Sequence, residues 1–455
     1  MSGLELADIQ GGVLRAYGNA YASTSYLFVV VTDPAAGRAW LRSLLPLVTT
    51  AEPWTGGKPA TTLNIAVTAT GLTALGVPDP VVESFSWEFT EGMRSRAAVL
   101  GDVGASSPEH WDVGLGSAHL LLLVNALTTA DLESRLAMLR EARPAGVEIV
   151  HEEHTQALPE TREHFGFADG SAQPAIAGVN EEKVRGGGVP LADGGWRPLA
   201  AGEFILGYED EASRDDPRRA LPTAPVDPLG RNGTYLVWRK LEQDVLLFRQ
   251  VLAAASAHFE GGEELLAAKV VGRWRSGAPL VTSPDGADPA FDPTAEGAND
   301  FRYAEVDPAG LRCPLGSHVR RCNPRDVPGT GPFLSFRHRM VRRGMPYGPL
   351  LPLDATEPDG VSRGLVFVCF VASISRQFEG VQVQWLDDGN IFGLGHDSDF
   401  LLGGDGKGTG KMTVQGEPPF FLAPHASFVT TRGGDYLFQP GVRALEAVAE
   451  GALGR

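Results

Sequence analysis

The sequence is poor in cysteine and has no long hydrophobic run. Its three cysteines, Cys313, Cys322 and Cys369, are an odd and sparse set. This set excludes a disulfide framework, matches no zinc spacing, and favours a reducing compartment. The longest apolar runs, such as 120–124 and 365–371, are too short to span a bilayer. The first residues, MSGLELADIQGGVL, show no export signal, so we expect a cytoplasmic protein without a membrane partner.

Basic residues are scarce relative to acidic ones. The chain has 39 Lys and Arg against 56 Asp and Glu, which gives a net charge of −17. An acidic chain repels phosphate backbones, so we expect no nucleic acid partner. A hydrophobic content of 43% is ordinary for a globular protein, and 455 residues suit two domains. The sequence leaves a homo-oligomer open.

Hydrophobic periodicity predicts two α+β halves. In the first half, strands are predicted at 25–31, 62–68, 119–125 and 147–151, with helices at 36–45 and 128–139. In the second half, strands are predicted at 234–239 and 365–371, with helices at 242–259 and 373–383. The stretch 158–230 is loop-rich, which is typical of a functional segment or a linker. We therefore predict one domain at 1–158 and a second at 159–455, with a ligand site in the cleft between them.

One histidine stands in an arginine-rich segment, RCPLGSHVRRCNPR at 312–325. Neutral imidazole, here that of His318, is a good axial ligand for haem iron. Nearby Arg320, Arg321 and Arg325 suit the two carboxylates of haem, because guanidinium groups pair with carboxylates bidentately. A solvated basic loop is the alternative interpretation. The density of arginine in an acidic protein favours an anionic ligand.

A second segment, HFGFADGSAQP at 164–174, contains Asp169 between Gly166 and Gly170. Glycines beside an acid let the backbone turn sharply and approach a ligand, with the carboxylate projecting. An ordinary Asp-Gly turn has the same pattern, so this motif alone is weak.

Charged residues in two further segments are candidates for supporting roles, and a third charged segment is not. In RHRMVRRGMPYG at 337–348, an arginine would stabilise negative charge developing on a bound oxygen; a solvated basic face is the alternative. In QFEGVQVQW at 377–385, Glu379 is a candidate partner for the second N–H of the ligating histidine, with a solvent-facing Glu as the alternative. His151-Glu-Glu-His154 fits no zinc motif and is interpreted as a strand end with exposed polar residues.

Taken in order, these segments resemble the dye-decolorizing peroxidase family. The resemblance covers nearly the whole chain, from LADIQGG at 6–12 through the GFADG, His318 and RRGMPYG segments to QFE at 377–379. It also includes LGD at 100–102, GTYLVWRKLEQD at 233–244 and VGRW at 271–274. The chain length and the absence of an export signal are similar to the larger intracellular bacterial branch.

The resemblance implies two ferredoxin-like α+β domains with haem b between them. It implies that His318 is the iron ligand, that Asp169 moves the proton of hydrogen peroxide, and that Arg342 stabilises the developing charge. Arg343 is the neighbouring alternative to Arg342, and Arg325 is the implied contact to a haem propionate. The glycines that flank Asp169, Gly166 and Gly170, are assigned to the cofactor site with it.

The resemblance also implies the electron donors, namely dyes, phenols or other aromatic molecules, with Mn(II) left open. Tyr347 and Trp385 are candidates by residue type alone for relaying electrons to bulky donors. An aspartate base predicts that peroxide activation persists at mildly acidic pH, since carboxylic acids ordinarily ionise near pH 3.9 and imidazoles near 6.5.

Three competing functions remain at this point. A non-enzymatic haem carrier would use His318 and the arginines but would not need Asp169 together with Arg342. A haem enzyme acting on an oxyanion such as chlorite needs a distal arginine but no distal acid. A plain α+β interaction module needs no cofactor.

Overall fold

The computed structural model describes most of the chain. The described residues are 3–17, 21–170, 172–216, 218–219, 221–288, 290–292, 295, 298–326, 335–395, 397–402 and 410–453. Ser171, which belongs to the predicted Asp169 segment, lies outside them.

The strands of the described residues are numbered in chain order. They are β1 Ser23–Val31, β2 Thr61–Val67, β3 Leu120–Ala126, β4 Val147–Gln156, β5 Val189–Pro190, β6 Trp196–Arg197, β7 Thr234–Gln243, β8 Val341–Arg342, β9 Met345–Tyr347, β10 Gly364–Val371, β11 Met412–Val414, β12 Phe420–Leu422 and β13 Val429–Gln439.

The helices are numbered in the same way. They are α1 Gly11–Leu14, α2 Pro34–Leu44, α3 Ala69–Ala74, α4 Asp79–Val82, α5 Trp87–Glu91, α6 Thr129–Glu141, α7 Glu211–Asp215, α8 Val245–Ser256, α9 Gly262–Val271, α10 Tyr303–Val306, α11 His318–Cys322 and α12 Val442–Glu450, with a π-helix at Ile374–Leu386. Short 3₁₀ turns, such as Phe336–His338, connect several of them.

Each half of the molecule has the same β-α-β-β-α-β pattern. Strands β1 to β4 are antiparallel in the order β4-β1-β3-β2, with α2 and α6 as crossover helices. In the second half the order is β13-β7-β10, followed by the short β8 and β9 on the far side of β10. This pattern is that of a ferredoxin-like fold, so the predicted fold class is confirmed.

The two half-sheets join into one nine-stranded sheet within the described residues. They meet at a single pair between Phe438 of β13 and Val67 of β2. Helix α12, which follows β13, packs on α2 of the first half. The largest apolar cluster contains residues of both halves, for example Leu122 of β3 and Val237 of β7. The halves therefore share a core.

Local sequence explains where the main helices of the first half begin. The Asp33 side chain accepts hydrogen bonds from the first amides of α2, and Thr128 caps α6, as its Thr-Ala-Asp start predicts. Between 158 and 230 the described residues form only two-residue strands and short helices, as the composition predicts. Cys369 is fully buried in β10, also as predicted.

Two predictions of local structure need correction. His151 and His154 do not stand at a strand end but within β4, which extends to Gln156 because it pairs with β1 along its length. His151 is also largely buried, and its Nε2 lies 3.1 Å from Glu153 Oε2. The predicted helix at 373–383 is a π-helix that ends at Leu386.

Candidate active site

A cavity of about 540 Å³ lies mainly in the second half. Its volume is within the range of about 300–1,000 Å³ typical of small-molecule sites. Apolar side chains such as Phe167, Phe367 and Leu401 form much of its wall. Residues 100–106 of the first half and the first residues of β13 close one side.

His318, the first residue of α11, faces this cavity. Its Nδ1 lies 3.0 Å from Asp399 Oδ2, and its Nε2 lies 3.7 Å from Cys322 Sγ. Asp399 is fully buried, and its Oδ1 accepts two backbone amides, at 401 and 402. Burial raises the pKa of the Asp399 carboxyl, but attraction to His318 and their hydrogen bond outweigh burial, so this pKa is lowered overall. A carboxylate therefore fixes the orientation of the His318 ring.

The prediction that Glu379 is the partner of His318 is wrong. The Glu379 carboxylate forms a double ion pair with Arg96, at 2.6 and 2.7 Å, and accepts the Tyr436 hydroxyl at 2.8 Å. It thus ties the π-helix to the first half and to β13. Asp399 is the partner of His318 in place of Glu379. The sequence around Asp399 gave no indication that it would lie beside His318.

The arginines nearest His318 in the sequence do not reach the cavity. Arg320 donates to the backbone carbonyl of Cys313 at 2.7 Å and pairs with Asp307 at 3.1 Å. Arg321 donates to the carbonyl of Trp385 at 2.8 Å. Both side chains are fully buried in these contacts. The expectation that they pair with carboxylates of a ligand is therefore wrong, and they stabilise the chain around α11 instead.

Five other arginines line the cavity. One of them, Arg239, pairs with Asp102. The other four are Arg273, Arg325, Arg339 and Arg342. Burial, together with the neighbouring charges of Arg325 and Arg342, lowers the pKa of Arg339 to about 9. Burial likewise lowers the pKa of Arg273 to about 10. Within the described residues, the Arg339 guanidinium has no hydrogen-bond or ion-pair partner. Unpaired buried cations are costly, so this group of arginines suits an anionic ligand.

The sequence indicated roles for Arg325 and Arg342 but none for Arg273 or Arg339. Both stand in segments that carried the family resemblance, at 271–274 and 337–348. Nη1 of Arg325 donates to the carbonyl of Asn299 at 2.8 Å, and the Arg325 guanidinium lies over the Phe301 ring. The four side chains come from three segments of the chain, around 273, at 325 and at 339–342, and spacing along the chain does not reveal that they share one cavity.

Asp169 also lines the cavity, and Arg342 is bound to the segment that carries it. Nη2 of Arg342 donates to the carbonyl of Ala172 at 3.1 Å, and its backbone N–H donates to Gln173 Oε1 at 3.1 Å. The Gln173 amide in turn donates to the carbonyl of Arg342 at 3.2 Å. The structure thus brings Asp169 and Arg342 to one cavity, as the sequence predicts.

The two glycines beside Asp169 serve the backbone of this segment. Gly166 and Gly170 have φ angles of +96° and +79°, in the region that favours glycine. A Cβ at Gly166 would lie 2.6 Å from Nη1 of Arg275. Gly166 therefore permits close packing against Arg275, and neither glycine is among the described residues that line the cavity.

Arg343, the alternative to Arg342, points elsewhere. Its Nε donates to the carbonyls of Gly12 and Arg15, at 3.1 and 3.0 Å, and its Nη2 donates to that of Val13 at 3.1 Å. Arg343 thus anchors α1 at the start of the described chain. Of the two adjacent arginines, Arg342 is the one that lines the cavity.

The relay candidates Tyr347 and Trp385 are not surface residues. Their exposed fractions are 4% and 2%. The Trp385 ring packs on His338, which lines the cavity, with 4.6 Å between ring centroids. The Tyr347 ring lies under the Lys240 ammonium, 4.8 Å from its centroid. Selection by residue type could not distinguish buried from exposed aromatic residues.

Comparisons with known proteins agree with this geometry. Residues 8–159 match the family model described as the DyP dimeric alpha+beta barrel domain. The chain is 31% identical to a dye-decolorizing peroxidase of Mycena epipterygia, over 98% of this chain and 87% of the relative. The chain belongs to the dye-decolorizing peroxidase family.

Solved structures of dye-decolorizing peroxidases have the same fold over nearly the full chain. An ancestral D-type dye-decolorizing peroxidase superposes with a TM-score of 0.83 and 29% identity, covering 98% of this chain and 100% of that chain. A dye-decolorizing peroxidase in complex with 2,6-dimethoxyphenol superposes with a TM-score of 0.80 and 25% identity, at the same coverage. Dye-decolorizing peroxidases are haem-dependent oxidoreductases, and this chain is an enzyme of that class.

The cavity fits the haem group of a dye-decolorizing peroxidase. A planar apolar ring system suits its aromatic and aliphatic wall, and two propionates suit the buried Arg273, Arg325 and Arg339. His318 lines the cavity, and because Asp399 binds its Nδ1, Nε2 is the ring nitrogen that would ligate the iron. Among the described residues, no group of three or more His, Cys, Asp or Glu side chains forms another metal site, and no helix is long and apolar enough to cross a membrane.

Proposed function

We propose that the protein is a haem b peroxidase that reduces hydrogen peroxide and oxidises dyes, phenols or other aromatic donors in one-electron steps. The observation that carries this proposal is the shared cavity of three groups: the Asp399-held His318, Asp169 and Arg342. A haem carrier needs the first group alone. The presence of an acid and an arginine in the same cavity favours the enzyme.

His318 is assigned as the ligand of the haem iron, and Arg273, Arg325 and Arg339 as contacts of the propionates. When bound, haem supplies the metal and the conjugated ring that take up the oxidising equivalents of peroxide. Asp169 accepts a proton from one peroxide oxygen and donates it to the other, which makes water the leaving group. Arg342 stabilises the negative charge that develops as the oxygen–oxygen bond breaks.

The proton-transfer role of Asp169 is tested by the pH dependence of the peroxide step. Stopped-flow mixing of the ferric protein with peroxide gives a second-order rate constant, which we expect to persist at mildly acidic pH. In Asp169→Asn this rate should fall at every pH. A wild-type rate that collapses near pH 6.5, or an Asn variant with the wild-type rate, would show that another group is the base.

Several narrower features belong to the same proposal. We propose, from the sequence, that the protein belongs to the larger intracellular bacterial branch and is cytoplasmic. Mn(II) is a further donor to test beside phenols. The domain boundary between 158 and 159 is supported by strand pairing, because β1–β4 pair among themselves and β7, β10 and β13 do likewise, apart from the single pair that joins β13 to β2.

A further inference from the structure

The loop that carries Asp169 is closed around the Glu163 carboxylate. Oε2 of Glu163 accepts the backbone N–H of Phe165 at 2.8 Å, and Oε1 accepts that of Phe167 at 2.9 Å. The backbone N–H of Glu163 donates to the carbonyl of Phe167 at 3.0 Å, and that of Gly166 donates to the carbonyl of Glu163 at 2.9 Å. One side chain therefore binds two amides of its own loop, across the turn at Gly166.

Glu163 is fixed to the scaffold by a third donor. The Gln243 amide, at the end of β7, donates to Glu163 Oε2 at 2.8 Å. All three donors are neutral, and no cation pairs with Glu163 in the described residues. Burial raises the pKa of the Glu163 carboxyl, the three hydrogen bonds lower it, and the nearby charge of Asp169 raises it again, with a net increase.

The ordered loop leads directly to Asp169. The backbone N–H of Ala168 donates to the carbonyl of Arg275 at 3.0 Å, and that of Asp169 donates to the carbonyl of Thr161 at 3.2 Å. Arg275 also donates to the carbonyl of Phe165 at 2.6 Å from the outer side of the loop. Glu163 inside the loop and Arg275 outside it thus set the backbone from which the Asp169 carboxylate projects.

We propose that Glu163 is a positioning residue for proton transfer, which holds the 163–169 loop so that Asp169 faces bound peroxide. This proposal rests on the proposed role of Asp169. Glu163 also lines the cavity, but its two oxygens already accept three hydrogen bonds, so its assigned role is to hold the loop and not to exchange a proton with substrate. Its effect on the peroxide step passes through the placement of Asp169.

The substitution Glu163→Gln tests this role in the haem-loaded protein. It keeps the size of the side chain but replaces one accepting oxygen by a donor that faces other donors. A displacement of about 1 Å in a reacting group lowers the rate by about 10²-fold. We therefore expect the rate constant of the peroxide step to fall by roughly tenfold to a hundredfold. Reduction by an aromatic donor afterwards should proceed at the wild-type rate.

A double-mutant cycle separates positioning from a general structural role. In the Asp169→Asn background, Glu163→Gln should cause no further loss in the peroxide step, because there is no base left to position. A further tenfold loss there would overturn the proposal. If Asp169→Asn by itself leaves the rate unchanged, the proposed role of Asp169 fails instead, and the cycle distinguishes the two failures.

Hydrogen exchange gives a readout that does not depend on activity. We expect faster amide exchange at Phe165, Phe167 and Asp169 in Glu163→Gln than in the wild type, with unchanged exchange in α8 and α9. The matched control is Glu160→Gln, which removes the same charge three residues away. Glu160 is exposed and pairs with Arg162. Unchanged exchange of the loop amides in Glu163→Gln, or an equal change in Glu160→Gln, would contradict the proposal.

Discussion

The stability of the protein should depend on pH through one buried carboxyl group outside the active site. Asp435 lies in β13 opposite Trp238, and 6% of its surface is exposed. Its Oδ2 accepts the backbone N–H of Gly116 at 3.2 Å. Burial raises the pKa of Asp435 to about 8, although the Gly116 hydrogen bond and attraction to Arg94 oppose this change. The carboxyl is therefore protonated in the native protein at neutral pH.

The sign and size of the effect follow from proton linkage. In the unfolded chain the same carboxyl ionises near pH 3.9, so between about pH 4 and pH 8 the native state holds one more proton than the unfolded state. The free energy of unfolding consequently falls as the pH rises through this window. At about 1.4 kcal/mol for each pH unit, the loss between pH 4 and pH 7 is about 4 kcal/mol.

Asp435→Asn removes this titration while keeping an oxygen that accepts the Gly116 amide. We expect the difference in free energy of unfolding, variant minus wild type, to increase by about 4 kcal/mol between pH 4 and pH 7, because only the wild type loses stability in this range. Urea unfolding at both pH values measures this difference, and any constant cost of the amide cancels. Asp193→Asn, at an exposed turn, is the control. A gap between variant and wild type that is equal at pH 4 and pH 7 would refute the reasoning.

Three further predictions concern the active site. Arg339→Leu should weaken haem binding at least tenfold, because it removes a buried cation with no partner among the described residues; titration of the haem-free protein with haem measures this, and unchanged affinity would contradict it. Arg342→Leu should slow the peroxide step by about 10²–10³-fold, while Arg343→Leu should lower stability and leave that step unchanged, as stopped-flow and thermal unfolding would report. Asp399→Asn should raise the midpoint potential of the iron ligated by His318, since the ring loses its anionic partner; spectroelectrochemistry showing no shift would exclude this role.

Local patterns were sufficient to predict most of the regular structure. The run at 119–125 became β3, a strand with every residue buried, and the 3.6-residue spacing after 128 became α6. Predicted ends were less accurate where a partner decides them. Helix 242–259 is shorter than predicted because β7 extends through Gln243 in register with β13, and Asp244 then caps the helix that begins at Val245.

The candidate site was predicted only as far as family resemblance reached. His318, Asp169 and Arg342 line one cavity as expected. The partner of His318 was missed, because Asp399 is distant in the chain and its burial depends on how the loop after the π-helix folds back. Arg339 was missed because several arginines share its segment. Only the folded structure shows that the Arg343 guanidinium donates its hydrogen bonds to backbone carbonyls and that Arg339 lines the cavity.

The connection between the halves through β13 has a consequence for biosynthesis. Strand β13 follows more than 400 residues of chain, yet it pairs with β7, reaches β2, and is followed by the helix that covers α2. The first half, although its four strands are among the first to be made, therefore leaves a sheet edge and the face of α2 uncovered until synthesis is almost complete. Exposed edges and late long-range contacts favour slow folding and association with other chains. The nascent protein should accordingly depend on chaperones more than a chain with two self-contained halves.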